Sequence, residues 1–282
     1  MAAAPQALFL AHGAAARFAL YHAPAAPCRG AWLYLHPWAE EMNKARRMAA
    51  LQARALAADG WAVLQLDLHG CGDSAGDFGD ASWDSWRADV ALGLDWLQAT
   101  LGQQLPQAPG LWGLRLGALL ALDYAARPAG RAPSQLLLWQ PVLQGASHLT
   151  QFLRLRVAAQ MLGEGAGHRE GGTDALRAAL AGGSALEVAG YTLAPALAAA
   201  LDGLDASRLA PPCPVNWLEV APAAGRPLAP LSQRVLQGWQ AAGVDARAQC
   251  VAGPQFWATQ EIAEAPALLV ATCAMLQEAC HA

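Results

Sequence analysis

Apolar runs stopped by proline or glycine alternate with stretches of three- and four-residue periodicity along most of the chain. Gln6 to Tyr21 alternates weakly and predicts a first hairpin, ended by the turn from Pro24 to Pro27. Ala31-Trp32-Leu33-Tyr34-Leu35, stopped by His36-Pro37, and Trp61 to Leu68 read as strands buried on both faces. Between them, Met42 to Asp59 has neither proline nor glycine and predicts a helix closed by Gly60. Trp83, Trp86, Val90, Leu94 and Leu97 recur at helical spacing behind a capping Asp80 or Ser82. A short strand at Leu111 leads into a helix ending near Arg127, and Gln135 to Trp139 adds a strand closed by Pro141. Strand and helix in strict alternation predict an α/β fold, a mostly parallel sheet covered on both faces.

Between Gly145 and about Leu209 the alternation breaks. Helical pieces at Leu149 to Leu162, Ala175 to Leu180 and Leu193 to Leu201 are separated by glycine-rich turns such as Gly163 to Gly172, and no stretch reads as a strand. This predicts a helical cap, residues 145–209, inserted into a core made of residues 1–144 and 210–282. The core pattern resumes with a strand at Val215 to Val220, a helix from Ser232 to Ala242, a strand from Ala246 to Val251 and a helix from about Glu261 to Cys280. The sheet then has about eight strands, and no repeat or low-complexity linker marks off a second domain.

A chain of 282 residues, 55% hydrophobic and 14% charged, can bury one large core. Its net charge of −4 carries no basic stripe for nucleic acid, and Lys44, Arg46 and Arg47 read as the solvated side of a helix. No apolar run reaches membrane-spanning length and no basic residue precedes the short apolar start, so a cytoplasmic location without a membrane span is expected. Cys28, Cys71, Cys213, Cys250, Cys273 and Cys280 form no Cys-x-x-Cys pair. Neither a metal site, a disulfide framework nor a cofactor is expected, and most of these thiols read as small buried hydrophobes.

The candidate chemistry centres on Leu111-Trp112-Gly113-Leu114-Arg115-Leu116-Gly117, an apolar strand, a glycine-flanked turn and the start of an apolar helix. That is the setting in which an α/β-hydrolase fold holds its nucleophile, with glycine on both sides because strand and helix backbones approach too closely for a β-carbon. The central residue is Arg115, a guanidinium with no nucleophilic oxygen or sulfur. The triad acid would stand near Glu219. The position expected for the triad histidine falls in Ala252 to Trp257, where Gln255 stands and histidine does not, while His281 lies beyond the last helix. His36 opens the loop that usually forms the oxyanion hole, but Pro37 has no N–H to donate. Cys71 and His69 suggest a thiolate and base, against which Asp67 and Asp73 would work. Asp73 and Ser74 read as turn formers. Trp38, Phe256 and Trp257 are pocket wall or core.

Four stretches together resemble one family: His36 to Met48 with its Glu40-Glu41-Met42-Asn43-Lys44, Asp67 to Ser74, the Gly113-Leu114-Arg115-Leu116-Gly117 turn, and Gly253 to Ile262. The chain resembles the exosortase A system-associated hydrolase 2 family of the α/β-hydrolase superfamily. The resemblance implies a role in bacteria that make exopolysaccharide and sort proteins by a C-terminal Pro-Glu-Pro anchor. It also implies hydrolase activity on an acyl ester or a polysaccharide substituent, which the residues at 115 and 255 oppose. The residues favour binding of an anionic small molecule or glycan, or of a protein partner from that system. Arg115 would be its anchor, with the helix opening at Leu116 adding its positive end. His36, Glu40, Glu41 and Trp257 line the same site, and Glu40, Glu41 or Glu219 could neutralise Arg115 from within.

Overall fold

A computed structural model describes residues 4–13, 15–25, 27–128, 130–162 and 171–279. Most of the turn expected at Gly163 to Gly172, together with Cys280 and His281, lies outside the described residues. In chain order the elements are β1 (Gln6–His12), β2 (Ala15–His22), β3 (Gly30–Leu35), α1 (Ala39–Ala58), β4 (Trp61–Leu66), α2 (Trp83–Leu101), β5 (Gly110–Leu114), α3 (Leu116–Ala126) and β6 (Leu136–Trp139). There follow α4 (Gly145–Leu162), α5 (Thr173–Ala181), β7 (Leu186–Val188), β8 (Tyr191–Leu193), α6 (Pro195–Asp202), β9 (Val215–Ala221), α7 (Pro230–Ala241), β10 (Ala246–Ala252) and α8 (Pro266–Ala279).

Eight strands form one sheet in the order β1-β2-β4-β3-β5-β6-β9-β10, antiparallel at β1-β2 and β2-β4 and parallel elsewhere. This is the α/β-hydrolase fold. Strands β3 and β5 are buried along their whole length because helices cover both faces, which is why they read as unbroken apolar runs. Leu94 and Leu97 of α2, Leu119 of α3 and Trp239 of α7 pack on one face. Met48 and Leu56 of α1 and Leu268 and Leu276 of α8 pack on the other. No helix among the described residues is long and apolar enough to cross a membrane.

Several boundaries differ from the pattern-based expectation, among them the start of α4, at Gly145 rather than Leu149. Helix α1 opens at Ala39 rather than Met42, which brings Glu40 and Glu41 into its first turn. Strand β4 stops at Leu66: the Asp67 N–H still donates to the Phe18 carbonyl of β2, but the Leu68 N–H leaves the ladder for His36 Nε2. Helix α8 starts at Pro266, a favoured first-turn residue, rather than near Glu261. The segment between β6 and β9 also contains a hairpin, β7-β8, where no strand was expected. Its strands have three residues each, too few to show a two-residue period. Its turn, with Ala189 at φ 51° and Gly190 at φ 84°, lacks the Asn-Gly pair that announces such hairpins.

Candidate functional site

At the end of β5 the backbone turns through Arg115 at φ 55° and ψ −116° into α3. The left-handed region is strained for any residue with a β-carbon, at roughly 1–3 kcal/mol, so the surroundings must hold it there. The Arg115 N–H donates to the Trp139 carbonyl at 3.0 Å, and the Val142 N–H donates to the Arg115 carbonyl at 3.1 Å. The flanking glycines are steric necessities. A β-carbon on Gly113 would stand 2.4 Å from Ala118 Cα, and one on Gly117 would stand 2.1 Å from the Leu35 carbonyl oxygen. The turn is therefore built as a nucleophile elbow although its central side chain is a guanidinium.

That guanidinium is neutralised from within. Arg115 Nη2 donates to Glu41 Oε1 at 3.2 Å, and Nε lies 3.3 and 3.4 Å from the two carboxylate oxygens. Its Cζ sits 5.4 Å from the centre of the Trp257 ring, in cation–π contact. The two side chains are 17% and 21% exposed, so the pair touches solvent along one edge. Burial raises the Glu41 pKa above its ordinary value, and the Arg115 charge offsets this only in part. Glu40, one residue earlier, turns outward and accepts from Asn43 Nδ2 at 3.3 Å and from the Tyr191 hydroxyl at 3.4 Å, joining α1 to the β7-β8 hairpin.

A residue that the sequence reading passed over lies within reach of the Arg115 charge. His148, in the first turns of α4, is 6% exposed and packs its ring on Trp38 at 5.3 Å between centroids. Its Nε2 is buried without a hydrogen-bond partner. Burial, and then the positive charge of Arg115, pushes its pKa down to about 3, so the ring is neutral. The available signal was a histidine beside Leu149, Phe152 and Leu153, which looks like a helix's apolar face.

The other candidates lie elsewhere or are already occupied. His36 donates from Nδ1 to the Pro37 carbonyl at 2.6 Å and accepts from the Leu68 N–H at Nε2, 3.1 Å. Both ring nitrogens are used inside the fold and burial lowers the pKa, so His36 braces the loop and offers a ligand nothing. The Leu116 side chain is buried. Glu219 is buried and accepts from Ser232 Oγ at 2.5 Å and from the Ala229 N–H at 3.5 Å, tying β9 to the start of α7. The counter-charge of Arg115 is Glu41 and not Glu219. Gln255 is exposed, whereas Phe256 and Trp257 are buried.

Cys71 is buried with its thiol pushed up by desolvation and then by Asp67 and Asp89, the reverse of an activated thiolate. His69 gives its N–H to Asp89 and its carbonyl to Trp86 Nε1. The Ser74 hydroxyl donates to the Asp67 carbonyl and accepts from the Phe18 N–H, closing the turn. Arg46 and Arg47 are exposed, partnered by Asp67 and Glu264.

The sequence profile of the serine aminopeptidase, S33 family (Hydrolase_4) matches residues 29–176, just over half of the chain. No curated protein matches it in sequence. Among solved structures, Est1E from Butyrivibrio proteoclasticus with ferulic acid bound superposes with a TM-score of 0.62 at 14% identity, over 96% of this chain and 97% of that one. A soluble variant of the Saccharomyces cerevisiae monoglyceride lipase, in complex with a substrate analog, gives 0.65 at 14% identity, over 98% and 94% of the two chains. An esterase of Pyrococcus furiosus gives 0.63 at 11%, over 98% and 91%. At these identities the likeness is one of fold.

Proposed function

The chain belongs to the serine aminopeptidase, S33 family, and we propose that it is a member whose elbow binds an anion and does not run triad hydrolysis. The observation that carries this reading is Arg115 in the strained nucleophile position, paired with Glu41 and stacked on Trp257. Triad acyl transfer needs a hydroxyl or thiol at the elbow and a histidine in the loop after β10. Here the first is a guanidinium, and the loop after β10 supplies Trp257 in place of a base. Losing nucleophile and base together removes nearly all triad catalysis.

The same geometry supports anion binding. Arg115 uses Nε and Nη2 for Glu41, which leaves Nη1 without a protein partner among the described residues. The Glu41 bonds, at 3.2 to 3.4 Å, are long for charge-assisted ones. A ligand carboxylate or phosphate can take the free nitrogen, or displace Glu41, which accepts a proton more readily than an exposed glutamate. The two segments most specific to the exosortase-associated resemblance, Glu40 to Lys44 and Gly113 to Gly117, are the two that meet in this ion pair. On that resemblance we propose a role in an exopolysaccharide system, in the cytoplasm, with an anionic small molecule, glycan or partner protein as ligand. The family membership favours a second reading, an acyl-ester or polysaccharide-modifying hydrolase with a rearranged site.

Thermal melts of wild type and Arg115→Met with and without citrate, phosphate and glucuronate test the binding reading. A ligand at a hundredfold its Kd stabilises by about 2.7 kcal/mol, and Arg115→Met should abolish the shift. Turnover of nitrophenyl esters that survives Arg115→Met, with fluorophosphonate labelling at a mapped serine, would establish the hydrolase instead. Arg115→Ser alone should restore nothing.

A further inference from the structure

The β6-α4 connection is tied to the elbow by the bond from the Val142 N–H to the Arg115 carbonyl, and His148 enters α4 six residues later, its own N–H on the Gln144 carbonyl at 3.1 Å. Its ring is wedged against Trp38, which in turn packs on Phe152 at 4.5 Å, and neither aromatic neighbour offers Nε2 an acceptor or donor that it uses. An unpaired buried nitrogen of this kind costs roughly 1–3 kcal/mol. Such groups in native structures call for an explanation, and a ligand that completes the bond is one.

We infer that His148 is a second ligand-binding group of the Arg115 site and that the two together select a carboxylate bearing a hydroxyl on the adjacent carbon. This rests on the reading that Arg115 binds an anion. The guanidinium presents its N–H groups in a planar fork that fits a carboxylate. The neutral imidazole brings no charge, and Arg115 is already offset by Glu41 with Glu40 next along α1, so the site suits a monoanion and disfavours a phosphate dianion. A hydroxyl both donates and accepts, so it satisfies Nε2 in either tautomer of the neutral ring. A site with a buried polar group waiting for a hydroxyl rejects the analogue that lacks it, since the group is then left unpaired.

Glycolate and acetate differ by that hydroxyl alone. Titrating each into the whole protein, followed by amide chemical shifts, should show glycolate binding about tenfold or more tightly than acetate. In His148→Phe, which keeps a flat ring against Trp38, the preference should fall to about one while acetate affinity holds. His148→Gln, which carries an amide of similar reach, should keep part of it. If wild type binds neither acid, or Arg115→Met binds both as wild type does, the anion reading fails and this inference with it. If Arg115 is required but glycolate binds no more tightly than acetate, or the preference survives His148→Phe, His148 is not a ligand group and the anion reading stands.

Discussion

Replacing Arg115 by Met keeps an apolar stem over Trp257 and the strained backbone but strips Glu41 of its counter-charge. A fully buried pair broken on one side costs about 3–5 kcal/mol and an exposed one about 0–1. With side chains 17% and 21% exposed, this pair falls between, and the lost cation–π contact adds to it; about 2–3 kcal/mol is expected at pH 8. The pH dependence identifies the cause. Glu41 has a folded-state pKa raised above its ordinary 4.5 by burial, with Arg115 pulling it back. Between the unfolded and folded pKa the native state binds more protons than the unfolded one, so this group's contribution falls as pH rises through that window. Without Arg115 the folded pKa climbs further and the window reaches higher. The deficit of Arg115→Met should therefore shrink toward low pH, as Glu41 takes up its proton, and grow toward pH 8. Adding Glu41→Gln should recover much of the loss, a coupling of roughly 1–3 kcal/mol in a double-mutant cycle. Urea denaturation from pH 4.5 to 8, at unchanged m-value, measures this. A deficit that is flat with pH, or a double variant no more stable than Arg115→Met, would show that Glu41 is not the charge Arg115 compensates.

Two further predictions concern the scaffold. Gly117→Ala would push a β-carbon to 2.1 Å from the Leu35 carbonyl oxygen and should cost more than about 4 kcal/mol, while Gly238→Ala, in α7 with nothing within 4 Å, should raise stability by about 0.5–1 kcal/mol, both read from denaturant midpoints. Residues 171–209, with three-residue strands and helices as short as Pro195–Asp202, should open before the sheet, so limited proteolysis cuts there before it cuts the sheet, and an initial cut within Trp61–Leu66 would refute it.

The order of strands and helices was legible in the chain because each is a local pattern. Burial on both faces makes β3 and β5 continuous apolar runs, and the elbow needs glycine at 113 and 117 whatever surrounds it. That position 115 holds a guanidinium, and that no histidine stands between Ala252 and Trp257, are likewise facts of composition at known places. Which carboxylate meets Arg115 was not legible. Successive helical residues point about 100° apart, so a start at Ala39 turns Glu41 inward and Glu40 out to Tyr191, and a start elsewhere would have changed the choice. Glu219 could not be assigned until α7 placed Ser232 and the Ala229 amide on it. His148 stands one residue before the helix expected at Leu149, and nothing in its spacing marked it. Only the tertiary structure, which seats the His148 ring on Trp38 and ties Val142 of the same connection to Arg115, brought a buried unpaired imidazole nitrogen within reach of a charge 33 positions away, because long-range contacts follow from how elements pack and not from any spacing along the chain.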